Sequence, residues 1–382
     1  MAGRKGKKMS LITVLLAARN GETYISQQLD SILDQKEDIR ILVSDDCSSD
    51  HTREILKKYR KQWPDRILVL FRREPSGGAG AHFLKLMKLM ADGGRYRVLE
   101  ENERDLWGGK EEKGKGGPWE RGGEYAPLSR EERFLLEDMA HASYFMLSDQ
   151  DDVWKPQKAS MLLKKLHEME GERKGKERKV EEGKTEEGGL ALLVHSDLTV
   201  TDQELNPIAG SFFQYQNLSP ERCSLSQLLV QNNVTGGAVM FHRGMLPFLK
   251  TIPDTCLMHD AWLALIASCF GRIGWVDSSL YYYRQHGGNA LGAGQADELD
   301  SARQRLKDGS RARENYRKMF GQARCFLEIF KDQLDEEQRQ VLEAFVRLPR
   351  CSRIGKIALI LRYGFTKNTL ARTLGQMMFI GD

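Results

Sequence analysis

The amino-acid sequence predicts an α/β protein: a single, mainly parallel sheet flanked by helices, with a helical C-terminal extension. Three observations carry this. Between Ser10 and Phe71, short apolar runs alternate with stretches of helical period, the β-α-β-α-β order that leads to parallel strands and right-handed crossovers. The runs Ile39 to Ser44 and Tyr144 to Leu147 lead straight into clusters of carboxylates, and the carboxyl ends of strands are where open α/β sheets bind ligands. From Ala302 onwards the chain is basic, helical in period and poor in strand signals.

The elements follow in order. Ser10 to Ala18 is a first strand, and Asn20-Gly21 starts the turn after it. Ile25, Leu29, Ile32 and Leu33 form one stripe of a helix over Tyr24 to Leu33. Ile39 to Ser44 is a strand, Thr52 to Tyr59 a helix, and Ile67 to Phe71 a strand. Ser76-Gly77-Gly78-Ala79-Gly80 precedes a helix over Phe83 to Met90. Glycines there either let the backbone approach a diphosphate or simply make a flexible turn; the Gly-Lys-Ser/Thr ending of a P-loop is missing. Gly93 to Arg133 and Gly171 to Gly189 are dominated by Gly, Glu, Lys and Arg and read as charged insertions. Lys158 to Met169 is a helix. Leu190 to Val194 is a buried strand leading into His195-Ser196-Asp197, and Ser211 to Leu218 is a loop. Asn232 to Phe241 is a Gly-containing turn into a strand, where paired glycines suit either a close-lying sugar or a bulge. Met258-His259-Asp260 opens an apolar helix through Phe270, and Gly274 to Tyr283 is a strand running into Arg284-Gln285-His286. The expected organisation is a basic tail over 1–8, one domain over 9–295 carrying both insertions, and a helical extension over 296–382.

Composition narrows the classes of function. With 382 residues and 40% hydrophobic content, the chain can bury a sizeable core. A net charge of +4 gives no global reason to bind nucleic acid. Cys47, Cys223, Cys256, Cys269, Cys325 and Cys351 are scattered with no CxxC pair, which points to reduced thiols in the cytoplasm and away from structural zinc. Arg4, Lys5, Lys7 and Lys8 before Leu11 to Ala18 superficially resemble a signal peptide. The run is short and ends at Arg19-Asn20-Gly21-Glu22 rather than at a processing site, so a first strand is the better reading.

The acidic stretch Ser148-Asp149-Gln150-Asp151-Asp152 concentrates the chemistry. Clustered carboxylates repel one another unless a cation or a hydroxyl network uses them, and hard oxygen ligands suit Mg²⁺ or Mn²⁺. The bland alternative is a solvated acidic turn opening a helix at Pro156, with Asp152 as its cap. Asp45 and Asp46 hold a nucleotide base or ribose, or else belong to a helix start for which Ser48, Ser49 and Asp50 all fit the cap. Asp260 is a cap or a general base, and His286 a structural residue or a metal ligand.

Together these pieces resemble the family 2 glycosyltransferases, over roughly residues 9 to 290. Ala17-Ala18-Arg19-Asn20-Gly21-Glu22 with Ser31-Ile32-Leu33-Asp34-Gln35 looks like the family's opening signature, and Ser44-Asp45-Asp46-Cys47-Ser48-Ser49-Asp50 like its second. Ser148 to Trp154 and Tyr283-Arg284-Gln285-His286 with Asn289 are similar to a rhamnosyltransferase-like subgroup. Cys47 stands where the family usually has Gly, and Pro75-Ser76-Gly77 departs from the usual Asn-x-Gly. The resemblance implies a GT-A fold with one Rossmann-like sheet and an inverting transfer of a sugar, rhamnose in the subgroup, from a nucleotide sugar. It assigns Asp260 as catalytic base and Ala18, Arg19, Asn20, Glu22, Asp46, Gly78, Asp149 and Gln150 to the donor. Gly236, Gly237, His259 and Trp262 go to the acceptor, and Asp151 and His286 to a Mg²⁺ or Mn²⁺ ion.

The implied donor is dTDP-rhamnose or a UDP-sugar, and the acceptor a cell-wall glycan or lipid-linked sugar at the cytoplasmic membrane face. The C-terminal helices suit membrane contact, a cap on the domain or a dimer contact equally. The competing functions are a nucleotidyltransferase that makes a nucleotide sugar and a non-catalytic glycan-binding protein. Product analysis separates the first, and binding without donor consumption the second.

Overall fold

A computed structural model describes residues 12–95, 124–177, 191–253, 258–287 and 309–380. The chain starts with β1 (Ile12–Ala18), α1 (Ile25–Leu33), β2 (Ile39–Asp45), α2 (Thr52–Gln62), β3 (Ile67–Phe71) and α3 (Ala79–Ala91). It continues with α4 (Arg130–Ala140), β4 (Tyr144–Ser148), β5 (Val153–Trp154), α5 (Lys158–Glu177), β6 (Ala191–Thr201) and β7 (Pro207–Ala209). Short helices α6 (Phe212–Tyr215) and α7 (Leu225–Leu228), β8 (Met240–His242), α8 (Leu246–Leu249), α9 (His259–Phe270) and β9 (Gly271–Arg284) complete the domain. Four helices follow: α10 (Gly309–Phe330), α11 (Glu336–Arg347), α12 (Arg353–Tyr363) and α13 (Leu370–Phe379).

The strands form one sheet in the order β3-β2-β1-β4-β8-β6-β9-β5, with β7 paired to β6. Pairings β1 with β2, β1 with β4, β2 with β3 and β6 with β9 are parallel, while β8, β5 and β7 run against their neighbours. The sheet is therefore mainly parallel, as its sequence predicts, and β8 is the strand that joins its two parallel parts. Strands covered on both faces read as nearly continuous apolar runs, and β1 does; its one polar side chain, Thr13, donates to the Met139 carbonyl at 2.8 Å. Leu15 points into one core with α3, α4, α9 and the C-terminal helices, while Val14 and Leu16 point into the other with α1, α2 and α5.

Several boundaries differ from expectation. β6 extends to Thr201, so His195-Ser196-Asp197 lie inside a strand rather than beyond one; pairing with β9 on one edge carries it through. A short helix replaces the expected loop at 212–215, capped by the Ser211 hydroxyl on the Gln214 N–H. Helix α4 begins within the stretch read as the first insertion, where Ser129 and Glu132 make a capping box. Just before it, Tyr125 pairs with Arg72 beyond β3. Most of both insertions, and Asn289, lie outside the described residues. Among the described residues, no helix is long and apolar enough to cross a membrane.

Candidate active site

Strand register brings the predicted donor residues to one sheet edge. Ala18 lies beside Asp45, and Leu16 beside Ser148, so the turns after β1, β2 and β4 emerge together. Gln150 locks two of these turns: its Oε1 accepts from the Arg19 N–H and its Nε2 donates to the Arg19 carbonyl, both at 2.8 Å. A Cβ on Gly21 would come 2.3 Å from Gln150 Oε1, which explains the glycine. Asn20 sits at φ 49°, in the left-handed region, and its side chain accepts from the Ser49 N–H at 2.9 Å. Glu22 is exposed and accepts from the His51 backbone N–H at 2.9 Å. Those bonds hold its carboxyl below the ordinary range, with the imidazole of His51 at 2.7 Å adding to the effect.

Asp46, expected to contact the nucleotide, is engaged within the protein. It is buried, and both its oxygens are in use: Oδ1 accepts from the Ser76 N–H at 2.6 Å and from Arg72 Nε at 3.1 Å, and Oδ2 from the Ser76 hydroxyl at 2.8 Å. In this arrangement Asp46 ties the Ser76 loop to the sheet edge. Cys47 adopts φ 60°, the conformation glycine takes most readily. That explains how this turn survives with cysteine: it keeps the left-handed backbone and bears the strain. Gly78 sits at φ 131° at the start of α3, with open space where a Cβ would be.

The acidic loop after β4 splits into two environments. Asp151 Oδ2 meets His286 Nε2 at 2.9 Å, and the His286 ring lies 5.0 Å from that of Tyr24. Arg284 holds this pair in place. Its Nε donates to the Asp151 carbonyl at 2.8 Å, its Nη2 to Gln27 at 2.7 Å, and its guanidinium lies over the Tyr24 ring at 4.4 Å. Asp152 instead turns inward and accepts from the Arg284 N–H at 3.2 Å, so it is no cap for α5. Burial and the Asp151 charge push its carboxyl well up. Burial, then Asp151 and Asp260, raise Asp149 to about 7.

Lys158, at the start of α5, was invisible as a site residue in the sequence. It is fully buried, donates to the Gly237 carbonyl at 2.5 Å, and lies 3.8 Å from the Trp154 ring centre and 4.3 Å from that of Tyr281. Burial lowers its pKa well below the lysine range, against the pull of Asp152 and Asp149. A basic residue after a proline at a helix start looks like a solvated position, so no local pattern could have singled it out. In the sequence Arg284 is one residue of a motif; its anchoring role depends on β9 reaching Asp151, a long-range fact.

Asp260 faces the same loops from α9. Its Oδ1 accepts from the Ala261 N–H at 2.6 Å and from Asn232 at 3.2 Å, and its Oδ2 from the Gly236 N–H at 3.2 Å. Burial raises its pKa despite these bonds. The paired glycines are thus gripped from both sides, Gly236 by Asp260 and Gly237 by Lys158. A Cβ on Gly237 would meet the Tyr281 hydroxyl at 3.2 Å and Asp152 at 3.4 Å, and one on Gly236 would meet His259 at 2.4 Å. His259 is buried and stacked 4.4 Å from Phe83, with neither ring nitrogen hydrogen-bonded among the described residues. Trp262 packs into the core shared with the C-terminal helices. It is a core residue, fully buried 5.2 Å from Phe326 of α10, and the expected acceptor contact is withdrawn for it.

Among the described residues, no three His, Cys, Asp or Glu side chains are arranged to hold a cation by themselves. Asp151 and His286 supply two donors, and magnesium or manganese typically takes one or two protein ligands, with water and substrate phosphate completing its shell. Burial first, and then their neighbouring carboxylates, raise Asp149 and Asp152. The donor set therefore fits a divalent ion shared with a diphosphate.

Residues 13–88, from β1 into α3, match the family described as Glycosyl transferase family 2. That likeness to the family covers about a fifth of the chain. It is 36% identical over 93 residues to the dTDP-rhamnosyl transferase RfbG of Shigella flexneri, covering 24% of this chain and 32% of that protein. It is 35% identical over 98 residues to TuaG of Bacillus subtilis (strain 168), named for teichuronic acid biosynthesis, covering 25% and 37%. The matches therefore span about a third of each relative's length. The crystal structure of S. aureus TarS 1-349 is similar at a TM-score of 0.47 and 14% identity, over 92% of this chain and 72% of that one, a likeness too slight to carry an argument. The family 2 resemblance carried by the motifs around Arg19 and Asp46 is confirmed; Asp149 and Asp260 lie beyond the matched residues.

Proposed function

We propose that this chain is an inverting glycosyltransferase. It moves a sugar from a nucleoside-diphosphate sugar to a hydroxyl of a cell-surface glycan or lipid-linked acceptor at the cytoplasmic membrane face. The observation that carries the reading is the paired glycine turn, held by Asp260 through Gly236 and by Lys158 through Gly237. It sets a buried carboxylate facing the acidic loop that would receive the donor. The relative named a dTDP-rhamnosyl transferase supports dTDP-rhamnose as donor, with a UDP-sugar the alternative.

In this reading Asp149 and Gln150 meet the donor, with the backbone of Ala18 to Asn20 and Gly78 beside it and Glu22 at the rim. Asp46 acts through the Ser76 loop. Asp151 and His286 would hold Mg²⁺ or Mn²⁺, which when bound offsets the charge growing on the departing diphosphate. Asp260 takes the proton from the acceptor hydroxyl as it attacks the anomeric carbon, and attack on one face with departure from the other gives inversion. Its raised pKa brings it closer to that of a base working near neutral pH. Gly236, Gly237 and His259 line the acceptor side.

The test is Asp260→Asn, read by nucleoside-diphosphate release and by donor binding. The expected result is transfer lowered by about 10²–10⁴-fold with donor binding retained. Unchanged turnover removes Asp260 from the reaction, and pyrophosphate as product replaces the transferase reading with nucleotidyl transfer.

A further inference from the structure

Helices α12 and α13 present an outer face that the fold does not bury. On α12, Ile354, Ile357, Ala358 and Leu361 share one arc by their i, i+3, i+4, i+7 spacing, and all are exposed, Ile354 at 83% and Leu361 at 66%. The opposite side of the same helix is already committed, with Ile360 buried in the core and Leu359 and Tyr363 packed against it. On α13, Leu370 and Leu374 are a second exposed apolar pair, at 75% and 54%. A helix apolar on both sides needs a second apolar environment.

Charge identifies that environment. Between Arg347 and Ile380 the chain carries Arg347, Arg350, Arg353, Lys356, Arg362, Lys367 and Arg372 and no carboxylate. Those seven cations exceed the net charge of the whole chain, +4. At about 100° per residue, Arg353 and Arg362 flank the apolar arc of α12 on its two sides, and both are exposed. An apolar stripe bordered by arginines is the pattern of a helix lying in the headgroup region of an anionic bilayer. A symmetric contact with a second copy would bring two such cation sets together, and their repulsion opposes it.

We propose that α12 and α13 dock this chain on an anionic lipid surface, with Ile354, Ile357, Leu361, Leu370 and Leu374 at the acyl boundary and the exposed arginines on lipid phosphates. This does not depend on the sugar-transfer reading, and its test involves no nucleotide sugar. The full chain is sedimented with vesicles of phosphatidylcholine alone, or of phosphatidylcholine and phosphatidylglycerol in equal parts, and its oligomeric state is read by sedimentation velocity. The expected result is binding to the mixed vesicles only, weakened by salt. Partitioning falls at least about tenfold in Ile354→Glu/Leu361→Glu and in Arg353→Glu/Arg362→Glu, with melting temperatures close to that of the parent. A parent chain that stays in the supernatant with the mixed vesicles overturns the proposal. So does a parent-like affinity in both variants, or a dimer that Ile354→Glu/Leu361→Glu dissociates.

Discussion

At the scale of single residues, the site is a set of groups held away from their ordinary ionisation. Asp260 is raised by burial, so the acid limb of kcat/KM should lie above the ordinary carboxylate range, with activity rising as the carboxylate forms. Stability responds in the opposite sense. An acid whose folded value is raised contributes stability that is fully present below its unfolded value, near 3.9, and is lost as pH rises through the folded one. Asp152, also raised, acts in the same direction. A pH series on the parent chain should therefore show activity climbing while the melting temperature falls; the two rising together would contradict this account. Cys47 gives a second prediction. At φ 60°, a β-branched side chain is strained and glycine is not. Cys47→Val should cost about 1–2 kcal/mol in denaturant unfolding. Cys47→Gly should be nearly neutral, because the relieved strain is offset by about 0.4–1 kcal/mol of added unfolded-state entropy.

At the scale of elements, Lys158, the first residue of α5, bonds the paired-glycine turn and lies within the field of Asp152 and Asp149 in the acidic loop. Removing it would strand the Gly237 carbonyl and take away the ammonium whose charge favours the ionised forms of Asp149 and Asp152. Lys158→Met should destabilise by about 3 kcal/mol, and addition of Mn²⁺ should restore part of the lost melting temperature. A variant as stable as the parent would mean that the ammonium is dispensable. The elements themselves were legible because both periodicities are strong. β1 to α3 follow the alternation of apolar runs and helical stripes, and boundaries shifted mainly where capping or edge pairing decides them, as at Ser129 and Thr201. The motifs around Arg19, Asp46 and Asp149 were legible because they are contiguous in sequence. Lys158, Arg284 and the inward turn of Asp152 were not, since each is defined by partners that the chain reaches only through the sheet. Trp262 was misplaced for the same reason: its neighbours Phe326 and Phe330 belong to a helix far along the chain.

At the scale of the whole molecule, the C-terminal helices share the core of the sheet domain. Phe320, Phe326, Phe330, Phe345 and Phe365 belong to the same buried cluster as Leu15 of β1 and Trp262 of α9. One side of the helical extension thus supports α9, and with it Asp260, while α12 and α13 turn apolar and basic side chains outward. Support of α9 and the outward face are then two uses of one extension. The central claim is that the loops carrying Arg19, Asp149 and Asp151 take a nucleotide sugar together with a divalent ion at Asp151. Its most direct test is the melting temperature of the chain with dTDP-, UDP- and GDP-sugars, each with and without Mn²⁺, since a ligand that binds only the folded state raises it by mass action. The expected result is a Mn²⁺-dependent rise with one nucleotide class, absent in Asp151→Ala. No rise with any nucleotide, in a well-folded chain, would contradict the claim.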